Sequence, residues 1–348
     1  MSEEKTQVQN ARKDLDILNK MKNLPGGLVI IPLVIAVVLA TFVPQVFQIG
    51  GYVTALFYEG NACMMGFFLI VCGSMIDIKQ VGMPLYKGVI MTGTKFLLGV
   101  IVGLIVGKIC GPEGFLGIAP FVLIATITNS NGSLYISLSS QFGNATDTGA
   151  ISILSLNDGP FFTLIALGAT GLANIPIKSL IAVLVPLLIG FFWGNLDKGF
   201  RDACKTAQPI VTFFMTISIG AKTDIKTILT AGASGIVLGL ISAATAVIFF
   251  FVINLLLPKK ERNAMGAAIG TTALNSAMTP AAVAEADPSM EGMVSMATAQ
   301  CATASIITLF LCPFITAAFD KWMQKRQKGI YSLLVFFFKQ KTAYEIGQ

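Results

Sequence analysis

Thr126-Ile127-Thr128-Asn129-Ser130-Asn131-Gly132-Ser133 interrupts an apolar run that extends from Phe115 to Ile127 and resumes from Leu134 to Leu138. The whole stretch is long enough to cross a bilayer, yet its middle offers hydroxyls, amides and a glycine. In hydrocarbon such groups would go unpaired, so the stretch is tolerated only where it faces protein or a wet cavity. A second interruption, Thr271-Thr272-Ala273-Leu274-Asn275-Ser276-Ala277-Met278-Thr279-Pro280, repeats the pattern: Thr126, Asn129 and Ser130 match Thr272, Asn275 and Ser276 at an offset of 146 residues. Broken apolar segments at corresponding places in two halves point to the substrate site of a transporter.

Composition agrees with that class. Of 348 residues, 54% are hydrophobic and 12% charged, with mean hydropathy +0.76, against about 25% charged in soluble chains. A polytopic helical membrane protein follows. The net charge of +6 does not mark a nucleic-acid partner, because the cations sit in short loops and tails and read as topology signals. Six cysteines occur without CxxC or Cys/His spacing, and there is no histidine. The sequence therefore predicts no disulfide framework, no metal site and no histidine proton relay. With no paired carboxylates or base-supported nucleophile either, it predicts no enzyme.

Hydropathy predicts an all-α integral membrane protein of ten spans: 27–43, 62–76, 88–108, 115–142, 149–173, 177–194, 205–221, 232–257, 263–286 and 292–319. With the N-terminus inside, the inner segments carry 17 Lys and Arg, Lys79 and Lys87 among them, and the outer segments carry only Lys108, Lys178, Lys222 and Lys226. That asymmetry predicts cytoplasmic N- and C-termini. Residues 1–26 lack the basic, apolar and small order of a signal peptide and read as a cytoplasmic tail.

Further matches extend the repeat. Gly73-Ser-Met-Ile-Asp77-Ile-Lys79 corresponds to Gly220-Ala-Lys-Thr-Asp224-Ile-Lys226 at an offset of 147, and Pro32 and Pro186 are similarly placed in spans 1 and 6. Each unit holds five spans, an odd number, so the second unit is inverted relative to the first. Residues 27–176 and 177–320 thus read as two inverted five-helix repeats with two crossing discontinuous helices, followed by a tail at 321–348. Within that tail 331–348 reads as non-native: Lys339-Gln-Lys-Thr-Ala-Tyr-Glu-Ile346 resembles one reading frame of a sequencing-library adapter.

Depth selects the chemistry. Asn129 and Asn275 lie about halfway along their spans, so the half-helix ends meet near the bilayer centre. There, N-terminal ends attract anions and unwound carbonyls can take a cation. Thr128, Asn129, Ser130, Asn131 and Ser133, with Asn275, Ser276 and Thr279, supply neutral donors and acceptors suited to a hydroxylated substrate. Gly132 allows a turn or a close approach of backbone to ligand. Asp158, in Leu156-Asn157-Asp158-Gly159-Pro160, is an acidic residue at mid-span, where a charge costs about 2.5–3.5 kcal/mol. It is the proton-coupling candidate together with Asn157, and Pro160 can open the helix beside it. Lys95 admits three readings: a snorkelling side chain, a partner of Asp158, or a counter-charge for a substrate carboxylate.

The long stretch Gly149-Ala-Ile-Ser-Ile-Leu-Ser-Leu-Asn157-Asp158-Gly159-Pro160-Phe-Phe-Thr163 resembles a motif of the bacterial 2-keto-3-deoxygluconate permeases. Asn129-Ser130-Asn131-Gly132, Pro25-Gly26-Gly27 and Gly194-Asn195-Leu196-Asp197 share the resemblance, which runs from about Leu24 to Phe319. It implies a proton symporter importing 2-keto-3-deoxygluconate, a sugar acid, across the inner membrane, with no cofactor beyond the coupling proton. It also implies kinship with the bile-acid and sodium/proton exchanger architecture. From the residues alone a sodium symporter for another organic anion stays open, with the Asn, Ser and Thr oxygens as cation ligands.

Overall fold

The computed structural model describes residues 15–23, 27–76 and 82–346, without the side chains at 22, 23, 27, 29, 30, 133, 158, 227, 228 and 327–346. The chain begins with α1 (Ile17–Asn23), α2 (Gly27–Phe42), α3 (Gly51–Phe57), α4 (Asn61–Met75) and α5 (Met83–Cys110). The first interrupted segment forms α6 (Pro120–Thr128) and α7 (Gly132–Phe142). Next come α8 (Ala145–Gly149), α9 (Ile151–Leu154), a 3-10 turn at Ser155–Asp158 and α10 (Phe161–Thr170). After α11 (Ile177–Leu196), α12 (Lys198–Gly220) and α13 (Ile225–Leu256), the second interrupted segment forms α14 (Met265–Ala268), a 3-10 turn at Leu274–Met278 and α15 (Thr279–Ala286). The last helix is α16 (Val294–Ile346).

Among the described residues four helices are long and apolar enough to cross a membrane, within 83–110, 177–196, 229–256 and 288–326. Two bent pairs raise the number to six: α3 with α4, at 55°, and 145–157 with α10, at 57°. The remaining expected spans are too charged, too short or broken. α12 carries Lys198, Arg201, Asp202 and Lys205 in its first turns, α2 is short, and both interrupted segments are divided into pieces too short to span. The bend in the fifth segment falls where Gly159 is extended and Pro160 caps α10. A proline ring cannot continue a helix, because it removes a donor and clashes with the preceding turn.

Packing separates the helices into two groups. In one, α2 lies against α12, and α4 against both α11 and α12. In the other, α5 packs on α6, and α13 on α14 and α16. Glycine allows the tightest approach in the first group. A Cβ on Gly73 of α4 would collide with the Leu187 carbonyl of α11, and one on Gly220 of α12 would come within 2.9 Å of the Leu33 carbonyl of α2. Leu33 and Leu187 directly follow Pro32 and Pro186, the prolines inside α2 and α11. The same small residue thus meets the same post-proline carbonyl in both helix pairs. Asp77 and Lys79, which close the repeated motif in sequence, lie outside the described residues. The groups meet where α4 touches the turn at Ser155–Asp158 and α12 touches the turn at Leu274–Met278.

Candidate functional site

Both polar interruptions are breaks in helix. α6 opens on Pro120, a residue suited to the first turn because its missing N–H has no partner to lose. It ends at Thr128, with Asn129 extended. Asn131 then starts α7, its side-chain oxygen accepting the Leu134 N–H at 3.0 Å, as an N-cap does. In the second segment α14 ends at Ala268 and residues 271–273 have no helical pairing. A 3-10 turn then leads into Thr279-Pro280 at the head of α15.

Asn129 joins the two breaks. Its Nδ2 donates to Asn275 Oδ1 at 2.9 Å and to the Asn157 carbonyl at 3.0 Å. Its Oδ1 accepts the Ala273 N–H at 2.8 Å and the Thr272 hydroxyl at 3.5 Å. Both amide donors and the carbonyl are therefore engaged by protein, so Asn129 acts here as the knot of the crossing rather than as an open ligand. A second tie runs from the Asn131 N–H to Thr271 Oγ1 at 3.3 Å. Three broken segments converge at this point, because Asn157 belongs to the bent fifth one.

The other predicted residues surround the knot. Thr128 is buried, donates to the Ile124 carbonyl at 2.8 Å and lies 3.3 Å from Thr163 Oγ1. Ser130 accepts from Asn157 Nδ2 at 3.5 Å. Ser276 pairs with Ser305 of α16 at 3.3 Å, and Thr279 is buried at the start of α15. Gly132 is the first residue of α7 and is not among the left-handed glycines. The side chains of Ser133 and Asp158 lie outside the described residues; the Asp158 backbone ends the turn next to Gly159. Asn157 is 2% exposed, and among the described residues its Oδ1 has no hydrogen-bond partner. A buried acceptor left open costs roughly 1–3 kcal/mol, which marks it as a contact for a ligand or a water.

Of the three readings of Lys95, snorkelling is the one its burial rules out. Lys95 is fully buried, and its ammonium donates to the carbonyls of Ile269 and, at 2.9 Å, of Thr271. The Phe249 ring centre lies 5.2 Å away. These partners belong to the second break, so the charge turns into the crossing and not toward the membrane surface.

A crevice lies between the helix groups, lined by none of the knot residues. One part holds about 390 Å³, between α4, α10, α11 and α15. A neighbouring part of about 420 Å³ shares Asn61, Ala62 and Glu285 with it and is flanked by Lys222 and Glu59. Both volumes suit a small organic molecule. The first part is floored by Leu69 and Leu164, and a Cβ on Gly159 would lie 3.2 Å from Leu69. Glu285 is exposed and lines this crevice. Asp287 is buried, accepting the Asn174 N–H at 2.7 Å and the Ser289 hydroxyl. The Ser289 hydroxyl and then the Asn174 N–H hold its carboxyl below the usual range.

Sequence reasoning missed a second polar cluster. Lys87, counted as a loop cation, is fully buried at the start of α5, 2.7 Å from Asp147 and 3.1 Å from Glu261. Asn263 donates to Asp147 at 2.6 Å, and Asn144 with Asp147 forms a capping box at α8. The Asn-x-x-Asp spacing from 144 to 147 was the available signal. The Lys87 ammonium, ahead of Thr146 and Asn144, draws the Glu261 carboxyl below its ordinary value of 4.5. Also missed were Cys301, Ser305 and Thr308, small polar residues on one face of α16 that touch Thr126, Ala273 and Thr272. Their spacing of four and three is itself the helical signal.

Residues 18–325 match the family model described as 2-keto-3-deoxygluconate permease. The chain is 42% identical over 319 residues to 2-keto-3-deoxygluconate permease 1 of Salmonella typhimurium, covering 92% of this chain and 99% of the relative. It is 29% identical over 313 residues to the 2-keto-3-deoxygluconate permease of Bacillus subtilis, covering 88% and 94%. Against that of Escherichia coli it is 29% identical over 326 residues, covering 91% and 98%. With its apolar helices, the chain is a multi-pass membrane protein that belongs to the 2-keto-3-deoxygluconate permease family, a family of transporters and not of enzymes.

Proposed function

We propose that this chain is a secondary active transporter that brings 2-keto-3-deoxygluconate into the cell together with protons. The observation that carries the reading is the Asn129–Asn275 hydrogen bond, which joins two interrupted helices at residues 146 apart, beside a buried Asn157 whose Oδ1 is open. The sugar-acid substrate is taken from the names of the relatives. In this reading Asn129 and Thr128 hold the breaks together, and Asn157 Oδ1 accepts a substrate hydroxyl. Ser130, Asn131, Gly132, Asn275, Ser276 and Thr279 shape the remaining contacts, and Lys95 supplies positive charge. Asp158 takes and releases the coupling proton.

The proposed architecture is ten spans in two inverted repeats, 27–176 and 177–320. Reciprocal packing supports it: α2 on α12 and α4 on α11 are the two pairs that exchange of the halves would produce, with Gly220 on Leu33 in one and Gly73 on Leu187 in the other. Residues 1–26 are a cytoplasmic tail and 331–348 a non-native extension; the family match stops at 325. The proposed location is the inner membrane with both termini in the cytoplasm. Burial of Lys87 removes one cation from the inner count of 17 and leaves the asymmetry against four intact. The crevice then opens to the outside, on the side of Lys178 and Lys222.

An anion entering a negative-inside cell moves against about 2.3 kcal/mol per charge per 100 mV. One co-transported proton cancels that cost, and a second makes entry electrogenic. The test is uptake of labelled 2-keto-3-deoxygluconate by proteoliposomes under an imposed pH gradient, in wild type and Asp158→Asn. The expected result is uphill uptake by the wild type and none by the variant. Equal accumulation by both would remove Asp158 from the coupling role.

A further inference from the structure

We propose that the Lys95 ammonium is a built-in cation at the second break, seated where a coupling metal ion would otherwise bind, so that this transporter works without sodium. The inference rests on the reading of the two breaks as the transport centre.

Unwound carbonyls at a broken helix are the groups that coordinate sodium in transporters built this way. In this chain the carbonyls of Ile269 and Thr271 are already bonded to the Lys95 ammonium. Ile269 caps α14 and Thr271 begins the unpaired stretch, so both oxygens point away from helical partners. The lysine reaches them from the middle of α5, fully buried, with the Phe249 ring beside its charge. Its tether is covalent, so the cation cannot leave with the substrate. A metal ion bound about 4 Å from this charge would lose roughly a thousandfold in affinity to repulsion, at an effective dielectric of about 20.

The asymmetry between the halves supports a dedicated device. The position 146 residues after Lys95 is Ile241, so the first break receives no matching ammonium from α13. The first break is held by neutral groups instead, chiefly Thr128 to Thr163 and Asn129 to Asn157.

The experiment replaces sodium by potassium or choline at fixed pH, using purified full-length protein. It reads the initial rate of sugar-acid uptake in proteoliposomes and the melting temperature in detergent. Wild type is expected to show no sodium dependence in either. Lys95→Ala, which vacates the seat, is expected to lose at least about tenfold in sodium-free uptake and to gain a sodium-specific rise in melting temperature. Sodium-stimulated uptake or sodium-specific stabilisation of the wild type would overturn the proposal. So would a folded Lys95→Ala protein that transports normally without sodium, or one that shows no response to sodium in either measurement. If Lys95→Ala does not fold, Lys95→Met, which keeps the side-chain length without the charge, carries the same two expectations and the same overturning results. Failure of wild-type sugar-acid uptake would defeat the proposed function separately, because the melting measurement needs no substrate.

Discussion

The two ends of the group formed by α5, α6, α13, α14 and α16 are fastened differently, one by charged and one by neutral side chains. At one end Lys87 of α5 binds Asp147, ahead of α9, and Glu261 in the connection that precedes α14. At the other end Gln300 of α16 donates to Ser234 of α13 and to the Gly117 carbonyl in the connection that precedes α6, both at 2.8 Å. Lys87 and Ser234 are 147 residues apart, and Gly117 and Asn263 are 146 apart. One fastening is ionic and sealed, the other neutral. The ionic one ties α5, the α7–α8 turn and the α13–α14 connection into a single body, which suits a group that moves as a unit. The crevice opens at the neutral end, where Lys222, Glu59 and Glu285 gather.

Breaking the ionic fastening should have the largest effect. Asp147→Ala leaves the Lys87 ammonium with only the partly exposed Glu261 as counter-ion and removes the acceptor of the Asn263 amide. Uncompensated burial of this kind costs about 3–5 kcal/mol. The checking measurement is unfolding of the purified protein in detergent, where a loss under about 1 kcal/mol would mean that the pair is not sealed.

The next effect is the coupling within the pair. Lys87→Met combined with Asp147→Leu removes both fully buried charges and leaves without its cation only Glu261, which is 14% exposed. The double variant is expected to be more stable than Asp147→Ala by about 1–3 kcal/mol, a clear departure from additivity. Strict additivity would show that the loss in the single variant arises from the α8 cap and not from the ion pair.

At the neutral end Gln300→Leu removes two uncharged hydrogen bonds and leaves the Gly117 carbonyl open. The expected loss is about 1–2 kcal/mol, smaller than at the ionic end and unchanged by salt or pH. A loss equal to that of Asp147→Ala would erase the contrast between the ends.

Much of the centre was legible beforehand, and the reason is physical. Asn129 and Asn275 stood out because amides in an apolar run must find partners, and the partner each found was the other. The break at Gly159-Pro160 was legible because proline cannot continue a helix. Lys95 was located but not aimed: its direction depends on carbonyls 174 and 176 residues away, which no local pattern encodes. Lys87 was misplaced because a lysine near a span end ordinarily stays in water. Its two carboxylate partners lie 60 and 174 residues downstream. The bend between α3 and α4 left no proline to announce it.

The smallest effect concerns Glu261, which is 14% exposed and shares the Lys87 ammonium with Asp147. Its carboxyl is held below the ordinary 4.5, first by the Lys87 hydrogen bond and then by those from Thr146 and Asn144. A depressed carboxyl contributes stability above its unfolded-state value and loses it as pH falls through the folded one. Glu261→Gln should therefore lower stability by up to about 1 kcal/mol at neutral pH. The gap between variant and wild type should hold down to the unfolded-state value near 4.5, then narrow below it and close once Glu261 is protonated. Measuring both proteins across that range isolates the part of the stability that depends on the Glu261 carboxylate. A gap that stays constant through acid pH would assign the loss to the hydrogen bonds of Asn144 and Thr146, leaving Asp147 as the sole ionic partner of Lys87.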